Sequence, residues 1–168
     1  MHPYPNFFAD YPTVDMRTVF WLTWKYHKTG FLYWGVEYFG DPKEMTADGP
    51  TEKYALGPAN MGNGDGTLCY WAPNETFYPS IRLNAIRDGI EDYECFALAS
   101  KLAEQAEQAG KVPDVVARTR RVLAVSQRVV KDTDASPNFE YSLDPANLLA
   151  ARRELDDCIL TLRKALER

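Results

Sequence analysis

A chain of 168 residues with 45% apolar and 26% charged residues has a folded, globular composition, which excludes a disordered or fibrous class. Its length suits one domain with a sizeable core. The formal net charge of −5 argues against nucleic acid as a general partner, because phosphate binding needs a basic surface.

Residues 1–12 mix prolines with aromatics and read as an ordered loop. Thr13 is a candidate N-cap for a helix whose apolar positions Val14, Phe20, Trp21 and Trp24 recur at helical spacing up to Tyr26. Gly30 is its expected breaker. Phe31–Val36 follows at once as an apolar run of strand length. Helix, short turn and apolar strand in that order is the habit of parallel α/β folds. The expected class is therefore α/β, mostly α by content. Residues 39–79 form a long loop with a short β-like piece at Thr67–Trp71, and a loop of that size is usually functional. Ser80 is a good N-cap for a helix ending at Gly110, with Ile86, Ile90, Tyr93 and Ala97 marking its apolar face. Pro113 opens a helix expected to run to about residue 131. After the loop "DTDASPNFEYSLD", Asp144 caps a last helix with Pro145 at its first position.

The stretch "GFLYWGVEYF" delivers Trp34, Glu37 and Tyr38 from the end of an apolar strand into a polar loop. An indole, a carboxylate and a phenol together suit a hydroxyl-bearing ligand with an apolar face, although Trp34 also suits ordinary core and Glu37 a solvated loop. Asp65 sits in "NGDG", whose residues are what tight turns demand, and "DGTLCY" does not continue as a calcium loop. Arg87 and Glu91 have ordinary ion-pair spacing on a helix, so the cluster Arg82, Arg87, Asp88, Glu91 and Asp92 reads as structural. Asn74-Glu75-Thr76 fits a glycosylation sequon, a pattern frequent by chance. Cys69, Cys95 and Cys158 are too far apart for a zinc or disulfide framework. His2 and His27 are the only histidines, so no metal or other cofactor is expected. No apolar run approaches the roughly 20 residues of a membrane span, and "MHPYPNFFADYP" does not read as a signal peptide.

Three blocks, "DYPTVDMRTVFWLTWKYHKTGFLYWGVEYF", "NGDGTLCYW" and "PSIRLNAIRDGIEDYECF", resemble the C-terminal part of the glycoside hydrolase family 123 catalytic domain. The last is the most specific, with a cap, paired arginines and paired acids in fixed register. The resemblance implies a (β/α)8 barrel acting on β-linked N-acetylhexosamine glycosides. Residues 14–26 would be its seventh helix, 31–36 its eighth strand and 80–108 its eighth helix. Residues 1–110 would then be the C-terminal segment of the barrel and 111–168 a helical tail packed on it. Because barrel sites sit at the C-terminal ends of strands, Trp34, Glu37, Tyr38 and Asp65 would face the sugar, with Tyr4 and Asn6 of the first loop beside them.

The family implies an adjacent Asp-Glu pair on an earlier strand, in which the Asp orients the substrate acetamido group and the Glu is the general acid. No such pair ends a strand here, since Glu91-Asp92 and Asp156-Asp157 fall within expected helices. The pair is expected upstream of Met1, none of these residues is assigned a catalytic role, and the chain alone is expected to be inactive. Its partners would be the carbohydrate and the remainder of the barrel, with self-association through the open strand edge. Secretion or a periplasmic location of a longer enzyme stays open. Alternatives are a non-catalytic carbohydrate-binding module, or a helical interaction module in residues 111–168.

Overall fold

The computed structural model describes residues 4–38, 45–46, 49–50, 63–72, 76–134 and 138–167. The sequon asparagine Asn74, His2 and most of the long loop lie outside these residues. The fold is mostly helical. Its elements run α1 (Thr13–Lys25), β1 (Met45–Thr46), β2 (Gly49–Pro50), β3 (Cys69–Ala72), β4 (Thr76–Pro79), α2 (Ile81–Gln108), α3 (Pro113–Leu123), β5 (Val130–Asp132), β6 (Phe139–Tyr141) and α4 (Pro145–Leu166). The described strands make three separate antiparallel pairs, β1-β2, β3-β4 and β5-β6.

Helix α1 begins one position away from the expected cap. Pro12 holds the N-cap position and its carbonyl accepts from the Asp15 N–H at 2.9 Å, so Thr13 is already helical. The end is set by His27, not Gly30. His27 takes φ 54, and the N–H groups of His27 and Lys28 return to the Trp24 and Thr23 carbonyls at 3.0 and 2.8 Å. This is the Schellman closure, with histidine where glycine is usual. Helix α2 closes the same way at Gly110, as expected. Its start is capped by Ser80, whose hydroxyl accepts from the Leu83 N–H at 3.1 Å, and Asp144 caps α4 by accepting from Ala146 N–H at 2.9 Å.

Two further expectations, for a strand and for a helix end, need correction. Phe31–Val36 is extended but is not a strand. Among the described residues no backbone hydrogen bond reaches positions 31–35, and only Glu37 makes a bridge, antiparallel to Thr67. A strand exists through its hydrogen-bonded neighbours, and among the described residues only Val36, at the end of the run, is bonded, to the Leu68 and Cys69 N–H groups; Leu32 is accordingly 86% exposed. Helix α3 stops at Leu123, short of residue 131. Val125 turns to φ 59 and is buried with Val129 and Val130, while the Trp24 indole N–H donates to the Leu123 carbonyl at 2.9 Å. Tertiary burial of the valines and satisfaction of that carbonyl override a helix-compatible sequence.

The core has two parts on either side of α1. One gathers Val14 and Trp21 with Phe96, Ala99, Ala103 and Ala106 of α2, Val116 of α3, and Leu148, Leu155 and Leu162 of α4. The other joins Phe7, Met16, Val19, Phe20, Leu68 and Ile86. The α1 aromatics are thus covered by α2, with the Trp21 and Phe96 rings edge to face at 4.9 Å. The helices approach closely at Gly89, where a Cβ would lie 2.4 Å from the Phe20 ring. The buried line on α2 includes Arg82 and Asp92, whereas Ile90, expected inside, is 47% exposed.

Candidate functional site

The sequence brings the candidate residues together by zipping the end of the extended segment to the "NGDGT" turn. Tyr38 N–H donates to the Gly66 carbonyl at 2.8 Å, Leu68 N–H to Val36 carbonyl at 2.7 Å, and the Thr67 hydroxyl to the Tyr38 carbonyl at 2.6 Å. The turn itself requires positive φ at Gly64 and Gly66, 74° and 71°. Gly66 has a second reason to be glycine. A Cβ there would lie 2.5 Å from the Trp34 indole, so the indole rests on bare backbone.

Asp65, at the crest of the turn, accepts from the Tyr33 hydroxyl at 2.6 Å and the Trp34 indole N–H at 2.9 Å, both on Oδ1. The Tyr33 oxygen in turn accepts from Gly66 N–H at 3.0 Å. Tyr38 meets Trp34 edge to face with ring centroids 5.1 Å apart. Trp34 nevertheless stays 46% exposed and Tyr38 42%, and Glu37 is exposed beside them. Burial and the Asp65 acceptor push the Tyr33 phenol up to about 12, against the opposing pull of Gly66 N–H and Arg82. Burial, then the charge of Glu37, also raises the Cys69 thiol.

Four of the six candidates, Trp34, Glu37, Tyr38 and Asp65, therefore form one patch. Tyr4 and Asn6 do not join it. They line a groove of about 520 Å³ together with Phe7, Phe31, Tyr33 and Phe139 among others. Asn6 caps its own loop, accepting from Phe7 N–H at 2.7 Å, and Tyr4 packs edge-on against Phe139 at 6.0 Å. Tyr33 belongs to both places, lining the groove and bonding Asp65. Its sequence signal is weak, a position two residues from Phe31 and next to Trp34 in the same apolar run.

The patch presents the half-open Trp34 indole and Tyr38 phenol beside the exposed Glu37 carboxylate, with the Asp65 carboxylate bonded to the indole N–H. It carries no adjacent Asp-Glu pair. Asp92 is 1% exposed and engaged by Arg17 and Arg152, Glu91 pairs with Arg87 at 3.6 Å, and Asp156 is held by Arg152. Among the described residues no group of three or more His, Cys, Asp or Glu could hold a metal ion, and no helix is long and apolar enough to cross a membrane.

The family model for the glycoside hydrolase 123 catalytic domain matches residues 1–99. The match spans the patch and the groove loop and ends within α2, so α3, β5, β6 and α4 lie beyond it. No curated protein matches the chain.

Proposed function

The chain belongs to the glycoside hydrolase 123 family, and on that footing we propose that it supplies one wall of the sugar-binding cleft of an enzyme acting on β-linked N-acetylhexosamine glycosides. Residues 1–110 are the C-terminal segment of a (β/α)8 barrel, and 111–168 are a helical tail packed on it. Trp34 stacks on the pyranose, Glu37, Tyr38 and Asp65 bond its hydroxyls, and Tyr4 and Asn6 contact sugar farther along. The catalytic Asp-Glu pair comes from chain upstream of these residues.

The observation that carries this reading is the Trp34 indole, seated on Gly66 and oriented by Asp65 yet half open to solvent. An aromatic face fixed in orientation and left exposed is suited to stacking against a sugar ring. Supporting the placement of the acid outside this segment, Glu91, Asp92 and Asp156 are each engaged in ion pairs with arginine.

The test is tryptophan fluorescence of the chain titrated with N-acetylgalactosamine and N-acetylglucosamine. A saturable shift lost in Trp34→Ala is expected, and no shift at millimolar sugar refutes the reading. On aryl β-N-acetylhexosaminides the chain should show no turnover. Hydrolysis abolished by Glu37→Gln would place the acid here and overturn the upstream assignment.

The same patch favours one second reading, a carbohydrate-binding module without chemistry, because all four of its side chains come from this chain. Affinity for sugar in the isolated chain, with no gain in turnover when upstream sequence is restored, would decide for it.

A further inference from the structure

The segments that carry the patch and the groove converge on one buried side chain. Arg82, in the first turn of α2, is 4% exposed. One guanidinium nitrogen donates to the Phe7 carbonyl at 2.8 Å and the Gly64 carbonyl at 2.7 Å, and the other donates to the Thr67 carbonyl. Phe7 follows Asn6 in the groove loop. Gly64 and Thr67 flank Asp65, the residue that holds Tyr33 and Trp34. Ser80 caps the same turn of helix, so the arginine is launched from a rigid base. The approach is so close that a Cβ at Gly64 would lie 2.6 Å from the guanidinium.

We propose that Arg82 is a positioning residue for the sugar-facing patch: its planar fork ties the groove loop and the Asp65 turn to α2, and thereby sets the orientation of Trp34. The inference rests on the reading of that patch as the sugar surface. Guanidinium suits the task because several N–H donors leave one rigid plane, and a carbonyl trio buried away from water must be satisfied. Lysine carries three rotatable donors on one atom of a flexible stem and lacks the rigid fork that fixes the carbonyls' relative geometry.

The Tyr33 phenol reports on this arrangement with a distinctive sign. The positive charge of Arg82 by itself eases Tyr33 ionisation, whereas burial and Asp65 resist it. Removing the charge while the turn stays in place would therefore delay ionisation. Releasing the turn exposes the phenol, withdraws Asp65 and brings ionisation earlier.

The experiment is an alkaline titration of phenolate absorbance on the full chain and on Arg82→Met, each taken as a difference from its own Tyr33→Phe partner. With the far-UV helical signal retained, Tyr33 in Arg82→Met should shift from about 12 toward the ordinary 10.0. Ionisation that is unchanged or later overturns the proposal. If Arg82→Met does not fold, Arg82→Lys carries the same test: earlier ionisation supports the positioning role, and unchanged ionisation refutes it. The readout contains no sugar, so it separates the two ideas. Failure of the wild-type chain to bind sugar, alongside the expected Tyr33 shift, sinks the sugar reading and leaves the positioning role standing.

Discussion

Arg152 of α4 donates to the carboxylate of Asp92 on α2 at 2.8 Å, and the same carboxylate takes two bonds from Arg17 of α1, at 2.6 and 2.8 Å, and one from the Trp21 indole at 2.7 Å. Asp92 lies inside the family-matched region and Arg152 outside it. One buried charge therefore joins three helices and ties the tail to the front of the chain.

Asp92→Ala should be among the most damaging single changes. It leaves Arg17 and Arg152, each about four-fifths buried, without their shared partner, and breaking such a pair costs about 3–5 kcal/mol. Arg152→Ala should cost less, about 1–3 kcal/mol, because Asp92 keeps Arg17 and Trp21. Urea unfolding midpoints at unchanged slope measure both. Equal effects would mean that Asp92 depends on Arg152 as heavily as on all its partners together.

Gly66→Ala should disturb the patch and little else. The new Cβ meets the indole at 2.5 Å and the backbone sits at φ 71°, so Trp34 must leave its seat, at about 1–3 kcal/mol for the strained conformation. Tryptophan emission should change in the wild-type background and not in a Trp34→Phe background. An identical change in both would locate the effect elsewhere.

The Tyr33 phenol makes stability depend on alkaline pH. Its folded-state ionisation, at about 12, lies above the unfolded value of 10.0. Between these the unfolded chain has lost a proton that the folded chain retains, so stability falls as pH rises. The contribution is complete below about pH 10 and is lost by about pH 12. The stability difference between wild type and Tyr33→Phe should shrink across that window, and a difference that grows there would contradict the assigned burial and Asp65 contact.

The open edge at residues 31–35 should make the chain self-associate. Leu32 is 86% exposed, and Phe31, Trp34 and Val36 are each nearly half exposed, beside backbone groups with no partner among the described residues. Such an edge invites pairing with another chain. Sedimentation at rising concentration should show association that Leu32→Lys suppresses. A compact monomer at all concentrations would argue against pairing through this edge.

Much of the helical framework was legible locally. Ser80, Gly110, Pro113, Asp144 and Pro145 act within a turn of where they stand, by capping or by a fixed backbone angle, so their effect can be read from neighbours alone. The "NGDG" turn was legible for the same reason. Trp34, Glu37, Tyr38 and Asp65 stand out partly by residue type and partly by family resemblance, and their assembly into one patch needs the zip between residues 36–38 and 66–69.

What the sequence could not decide depends on distant partners. Positions 82, 86, 89, 92, 96, 99, 103 and 106 form one helical stripe on α2, but Arg82 and Asp92 look like surface residues until the carbonyls of Phe7, Gly64 and Thr67, or the arginines at 17 and 152, are brought to them. The tertiary structure likewise ended α3 early by burying Val125, closed α1 at His27, and left residues 31–35 without strand neighbours among the described residues. Local capping and turn chemistry are properties of a few adjacent residues, whereas a buried charge, a strand and a side-chain patch such as that around Trp34 exist only once residues far apart in the chain supply the other half of each bond.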